Sequence, residues 1–114
     1  MSDRDQSYLE DMLSYAQDAI TLLGDADAAA LAADKRTQYA VIRAVEVVGE
    51  AASKVSAVGR AKIPAVPWRQ VVGMRNLLIH GYRGLDLGVM VETVRDHFPP
   101  LIEQLKTALG DSSA

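Results

Sequence analysis

The side chains best suited to chemistry lie in one short stretch, Arg-Asn-Leu-Leu-Ile-His-Gly-Tyr, at residues 75–82. The imidazole of His80 titrates near neutral pH and can act as a general base or a general acid. The guanidinium of Arg75 keeps its charge and offers a fork of donors to a phosphate. Asn76 lies four residues before His80, on the same helical face, where it could orient the ring or bind a substrate. Together with the phenol of Tyr82, these groups suit a phosphodiester substrate.

The spacing of the two principal groups raises a geometric problem. Arg75 and His80 are five residues apart, so a regular helix places them about 140° apart around its axis. One solution is that the helix already unwinds at His80, just before Gly81. The other is a two-fold dimer that brings two such helices together, so that each site uses groups from both protomers.

Charge is distributed unevenly along the 114 residues, whose net charge is −3. Residues 51–85 contain no acidic residue and six basic ones: Lys54, Arg60, Lys62, Arg69, Arg75 and Arg83. The segments on either side are net acidic. This pattern predicts a local anion-binding site, with Arg69 and Arg83 as further candidate phosphate contacts. The alternative is that these bases pair with acids of the flanking helices.

Apolar residues spaced by three and four predict helices along nearly the whole chain. We expect helices over 6–23, 34–58 and 67–80, a fourth marked by Leu87 to Val94 and a fifth marked by Leu101 to Leu109. Gly24, Gly59 and Gly81 are the expected stops, and Pro99 and Pro100 should break or kink the fourth helix. The alanine-rich stretch 25–34 either begins the second long helix early or forms a loose helical turn. The fold class is therefore all-α: one domain over 1–114, a bundle of four or five helices with a polar tail from about 110.

The long helix over 34–58 is apolar on more than one side. Besides its core stripe it carries a second set, Ala40, Ala44, Val47, Ala51 and Val58. A helix that is apolar on two sides usually buries both. The small residues Ala44, Gly49, Ala51 and Ala52 would let another backbone approach closely, so this second side is a candidate dimer interface.

Other candidate sites are weaker. Glu46 and Glu50 could hold a metal, but no third ligand joins them locally, and pairing with Arg43 or the basic segment is the favoured interpretation. We expect His97 to be a half-exposed capping residue and Trp68 to be a core anchor. The absence of cysteine excludes disulfides and thiolate chemistry. No apolar run is long enough to span a bilayer, and the acidic, polar start is unlike a secretory signal, so we expect a cytoplasmic protein.

The motif Arg75-x4-His80-x-Tyr82 resembles the Arg-x4-His-x-Tyr motif of HEPN-domain toxins of the HepT type. The similarity extends to RTQYAVIRAVEVVGEAASK on the long helix and to IPAVPWRQVVGMRNLLIHGYRGLD in the basic segment. It covers roughly residues 5–109. The resemblance implies a small helical homodimer of the HEPN type, with the motif at the dimer cleft.

The resemblance also implies an activity, a partner and a set of roles. It implies a ribonuclease that needs no metal or other cofactor, in which Arg75 and His80 cleave RNA and Asn76 supports one of them. HepT toxins are paired with a minimal nucleotidyltransferase antitoxin (MntA-like, a type VII-like pair), which adds AMP to the motif tyrosine, here Tyr82. Two other hypotheses remain: a module that binds a nucleotide or substrate for the transferase without turnover, and a purely structural helical partner.

Overall fold

The computed structural model describes residues 2–80 and 86–110, with only the backbone described for 75–80. In these two ranges every regular element is helical, and no strand occurs. The elements are α1 (Asp3–Leu23), α2 (Ala28–Ala33), α3 (Lys35–Lys54), α4 (Ala57–Ala61), α5 (Trp68–His80), α6 (Leu87–Glu92), a π-helical turn (Thr93–His97) and α7 (Phe98–Ala108). The all-α prediction is confirmed.

Helix α1 follows the predicted apolar stripe and starts slightly earlier than expected. The Ser2 hydroxyl accepts a hydrogen bond from the Asp5 amide at 3.1 Å and caps the N-terminus. The buried face comprises Leu9, Met12, Ala16, Ala19 and Leu23. Gly24 ends the helix at φ 54°, a left-handed φ that glycine adopts without steric penalty.

The alanine-rich stretch forms the separate short helix α2, capped by Asp27, whose carboxylate accepts from the Ala30 amide. Asp34 is the N-cap of α3. Its carboxylate accepts from the Thr37 amide at 3.2 Å and from the Thr37 hydroxyl at 2.6 Å. These bonds to the charged form lower the pKa of Asp34.

Helix α3 ends at Lys54, four residues before the predicted end, and Gly59 is not its stop. The chain turns at Val55, and Ser56 caps a new short helix, α4, by accepting from the Gly59 amide at 3.1 Å. The Arg60 guanidinium donates to the carbonyls of Ala52, Ser53 and Val55 at 3.1–3.3 Å. Arg60 thus satisfies carbonyl groups that α3 leaves open at its C-terminus.

A buried carboxylate joins α1 to this turn. Asp5 is 4% exposed, and it accepts from the Ser56 amide at 2.9 Å and from the Ser56 hydroxyl at 2.5 Å. Gly59 lies against the same carboxylate: a Cβ at this position would come within 2.6 Å of Asp5 Oδ2. The glycine is therefore required by the close approach of α4 to α1.

The second side of α3 is covered within the chain itself. Ala44 and Ala51 are only 4% and 5% exposed, Gly49 is buried, and α3 packs against both α1 and α5. The prediction that this side is free for a dimer interface is wrong for these residues, because they are already buried within a single chain. Of the second set, only Val58 is largely exposed.

Helix α5 begins at Trp68, and the carbonyl of Pro67 accepts its first helical hydrogen bond, from the Val71 amide at 3.0 Å. Trp68 is half-buried against the core and donates its indole N–H to the Ile63 carbonyl at 3.0 Å. This confirms the prediction of a core anchor. The indole bond fixes the connector to the start of the helix that carries the candidate site.

Pro99 and Pro100 do not end the helix that precedes them. Helix α6 runs directly into the π-helical turn and then into α7, with the prolines in the first turn of α7. The Phe98 amide donates to the Thr93 carbonyl, five residues earlier, as a π turn requires. The predicted break is thus a wider turn, which accommodates two residues that lack an N–H.

Candidate functional site

Helix α5 carries three of the four motif residues near its C-terminal end. Its backbone is helical through His80, so unwinding before His80 does not occur and the positions of Arg75 and His80 remain about 140° apart around the axis. Tyr82, like the candidate phosphate contact Arg83, lies outside the described residues. On this helix alone, Arg75 and His80 do not share a face.

A second face of α5 carries a different group of positions. Arg69, Gly73, Asn76 and His80 fall within about 60° of one another in helical register. The Arg69 side chain is exposed, and a Cβ built on Gly73 would meet nothing within 4 Å. A glycine inside a helix costs roughly 1 kcal/mol relative to alanine. No neighbour within the chain requires this glycine, and the space beside it is open.

The basic residues in the described part of the segment are not neutralised by acids. Among Lys54, Arg60, Lys62 and Arg69, none forms an ion pair with a described acid. Lys54 lies 5.8 Å from the centroid of the Tyr8 ring, and Arg60 lies 5.7 Å from that of Trp68. Lys62 and Arg69 are exposed. The alternative interpretation, pairing with the flanking helices, fails for these four, so the segment keeps its positive charge.

The two glutamates of α3 are engaged by a single arginine. Arg43 Nη1 lies 2.6 Å from Glu46 Oε1 and 3.4 Å from Glu50 Oε1. The hydrogen bond that Arg43 donates to Glu46 and the negative charge of Glu50 raise the pKa of Arg43. The structural interpretation of this pair is confirmed. Within the two described ranges, no cluster of three or more potential ligands could hold a metal ion.

His97 occupies the N-cap position of α7, as predicted for a capping residue, but its exposed side chain makes no capping hydrogen bond. Its side chain is 68% exposed, and its Nε2 lies 3.9 Å from Glu92 Oε1, beyond hydrogen-bond distance. It is the last residue of the π turn, next to a pocket that the sequence analysis did not anticipate.

This pocket, which we call the α5–π pocket, lies between the first turns of α5 and the π turn. Its volume is about 370 Å³, and it is lined by Pro67, Gln70, Val71, Met74, Thr93, His97, Phe98 and Leu101. The adjacent prolines, Pro99 and Pro100, were the available signal, because helices depart from regular geometry near proline. Their consequence for Thr93 and His97 depends on tertiary packing, which a sequence pattern does not contain.

Comparison with known proteins gives a consistent result. The family model described as "Ribonuclease HepT-like" matches residues 9–108. A Methanocaldococcus jannaschii protein named "Putative RNase MJ1380" is 38% identical over 107 residues, which cover 93% of this chain and 98% of that protein. A second protein of that organism with the same kind of name is 37% identical over 97% of each chain. A Thermococcus cleftensis protein named "Probable ribonuclease HepT" is 44% identical over 60% of this chain and 62% of its own length.

No solved structure matches the chain. None of the helices in the described ranges is both long enough and apolar enough to cross a membrane.

Proposed function

Because this chain belongs to the HepT-like ribonuclease family, we propose that it is a metal-independent endoribonuclease, the toxin of a type VII-like toxin–antitoxin pair. One observation supports this most directly: Arg75 and His80 lie near the C-terminal end of α5, in a segment whose described bases (Lys54, Arg60, Lys62 and Arg69) form no ion pair with a described acid. The proposed catalytic residues are Arg75 and His80, with Asn76 supporting one of them. Arg69 and Arg83 are proposed to contact further phosphates.

The proposed reaction uses the ribose as its own nucleophile. His80 takes the proton of a 2′-hydroxyl, the 2′-oxygen attacks phosphorus, and the bond from phosphorus to the 5′-oxygen breaks. Water donates a proton to the 5′-oxygen as it leaves, which yields a 2′,3′-cyclic phosphate and a 5′-hydroxyl. Arg75 binds the phosphate and stabilises its developing charge. Acid–base catalysis of this kind contributes typically 10²–10⁴-fold in rate.

We further propose that two copies form the site. The 140° separation in helical register leaves Arg75 and His80 on different sides of one helix, and a two-fold partner can supply the missing group. The open space beside Gly73 supports close approach of another molecule to α5.

Regulation is proposed to act on Tyr82. A minimal nucleotidyltransferase antitoxin would transfer AMP to its phenol oxygen, with pyrophosphate leaving from ATP. The added phosphate places negative charge near Arg75 and His80, where it competes with an anionic substrate. The modified protein would therefore bind RNA poorly.

The first experiment is RNA cleavage in EDTA by the wild type and by His80→Ala, with the intact mass of the wild-type sample recorded. We expect the wild type alone to cleave, with the variant slower by 10²-fold or more. Equal cleavage by both would exclude His80 as a catalytic group. If neither cleaves and the mass shows added AMP, Tyr82→Phe made in the presence of the transferase should be unmodified and active. An inactive protein of unmodified mass would instead favour a non-catalytic partner that binds a nucleotide.

A further inference from the structure

The α5–π pocket has the composition of a ligand site. Val71, Phe98 and Leu101 are at most 5% exposed and form its apolar floor, and Met74 and Pro67 complete the walls. A volume of about 370 Å³ falls in the range of small-molecule pockets, about 300–1,000 Å³, which combine apolar walls with a few polar groups.

Three polar side chains line the pocket with hydrogen-bonding capacity to spare. The Gln70 amide makes no hydrogen bond within the described residues, and it offers both a donor and an acceptor. His97 makes no hydrogen bond in the described ranges, and Glu92 is its nearest acid at 3.9 Å. The Thr93 hydroxyl donates to the Val89 carbonyl at 2.8 Å, which leaves its lone pairs free to accept. The pocket therefore suits a flat apolar ligand with both donors and acceptors on its edge.

The charges around the rim favour a base over a phosphate. Glu92 and the exposed Asp96 flank His97 on the π-turn side, where a phosphate would be repelled. Positive charge lies on α5 instead, at Arg69 next to Gln70 and at the position of Arg75 next to Met74. A nucleotide can thus place its base in the pocket while its phosphate faces the basic helix.

Position on α5 connects the pocket to the proposed reaction. Val71 precedes Arg75 by about 6 Å along the helix axis and lies about 40° from it in helical register. We propose that the α5–π pocket binds one unpaired base of the RNA strand, adjacent to the cleaved phosphate, and so sets a sequence preference. This inference rests on the proposed ribonuclease function. Unpaired RNA bases are commonly recognised by apolar contact with their faces and hydrogen bonds to their edges.

The first test measures binding without cleavage, so its result does not depend on whether the protein is a ribonuclease. Each of AMP, GMP, CMP and UMP is titrated into the protein while the methyl signals of Met74 and Thr93 are followed by NMR. We expect at least one nucleotide to shift both signals and ribose 5-phosphate, which lacks a base, to shift neither. Absence of shifts with all four nucleotides, or equal shifts with ribose 5-phosphate, would overturn the base pocket.

The second test uses a series of RNA substrates, each with a single abasic nucleotide at a different position, and measures kcat/KM for each. We expect a loss of about five- to tenfold at one position for the wild type. We expect Gln70→Ala to lower kcat/KM on intact RNA by a similar factor. The abasic nucleotide should then lower the kcat/KM of this variant little further. Gln17→Ala, an exposed glutamine on α1, is the matched control and should behave as wild type. If the abasic nucleotide lowers the kcat/KM of Gln70→Ala as much as it lowers that of the wild type, the base does not lie in this pocket.

Discussion

Gly59 and Gly73 both lie in helices but in different surroundings, and substitution by alanine distinguishes them. Gly59→Ala would bring a Cβ within 2.6 Å of Asp5 Oδ2 and 2.9 Å of Val55 Cγ1, so we expect destabilisation of about 1–3 kcal/mol. Gly73→Ala meets open space within its own chain, so we expect the monomer to be stabilised by roughly 0.5–1 kcal/mol. Urea unfolding at a protein concentration low enough to keep the chain monomeric measures both. Equal effects of the two substitutions would contradict the assigned packing.

The buried carboxylate of Asp5 should make stability depend on pH. The hydroxyl and amide of Ser56 hold the pKa of Asp5 below its ordinary value of 3.8. The stabilisation by the ionised Asp5 carboxylate is therefore fully present above the pKa of this group in the unfolded chain. It is lost as the pH falls through the lower pKa of Asp5 in the folded protein. We expect Asp5→Asn to destabilise the protein at pH 7 and to differ less from the wild type near pH 3.

Thermal unfolding at the two pH values tests this expectation. Asp3→Asn, an exposed acid in the same helical turn, is the control and should change stability little at either pH. A difference in melting temperature between wild type and Asp5→Asn that stays constant down to pH 3 would contradict the role of the ionised carboxylate.

The sequence predicted the bounds of α5 and the end of α1, but not the end of α3. Asp34 and Pro67 act locally, through a capping oxygen and a fixed φ, and α3 and α5 begin beside them. The end of α3 depends on Asp5, which is 51 residues from Ser56 in the chain. A contact between residues so far apart in the chain does not alter the three- and four-residue spacing of apolar residues. The predicted helix therefore extended to residue 58. Ser56 was nevertheless a usable N-cap signal for α4.

The same distinction separates the two candidate sites. The motif on α5 was visible because residue types at fixed spacing carry its chemistry. The α5–π pocket was not visible, because Gln70 and Thr93 are distant in the sequence and ordinary in type. Burial of Ala44 and Ala51 was predicted from small apolar residues, but the sequence did not indicate that other helices of the same chain would cover them. Which element covers an apolar face is a property of the assembled bundle.

If each site combines groups from two copies, paired inactive variants should restore activity. Arg75→Ala and His80→Ala homodimers should both be inactive. In a mixed dimer, one site receives Arg75 from one protomer and His80 from the other, and is intact. We therefore expect coexpressed, differently tagged variants to recover up to about half of the wild-type rate per dimer. Purification through both tags isolates the mixed species.

A mixed dimer that remains inactive would place both groups of each site on one protomer. The control is a mixed dimer of wild type and His80→Ala, which keeps one intact site under either arrangement and so reports whether the tags and exchange procedure preserve activity. Sedimentation of the same samples establishes that two chains are present.

The π turn at Thr93–His97 also has a consequence for how this family can gain and lose residues. A π turn contains one residue more than an α turn, and here it precedes Pro99 and Pro100. Deleting that residue while keeping the prolines would press a proline ring against a carbonyl, at a cost of about 3 kcal/mol or more. The extra residue of the π turn and the two prolines should therefore be inherited together. In aligned homologues we expect chains without the two prolines to be one residue shorter between the equivalents of Met90 and Leu101, and chains with them to keep the full length.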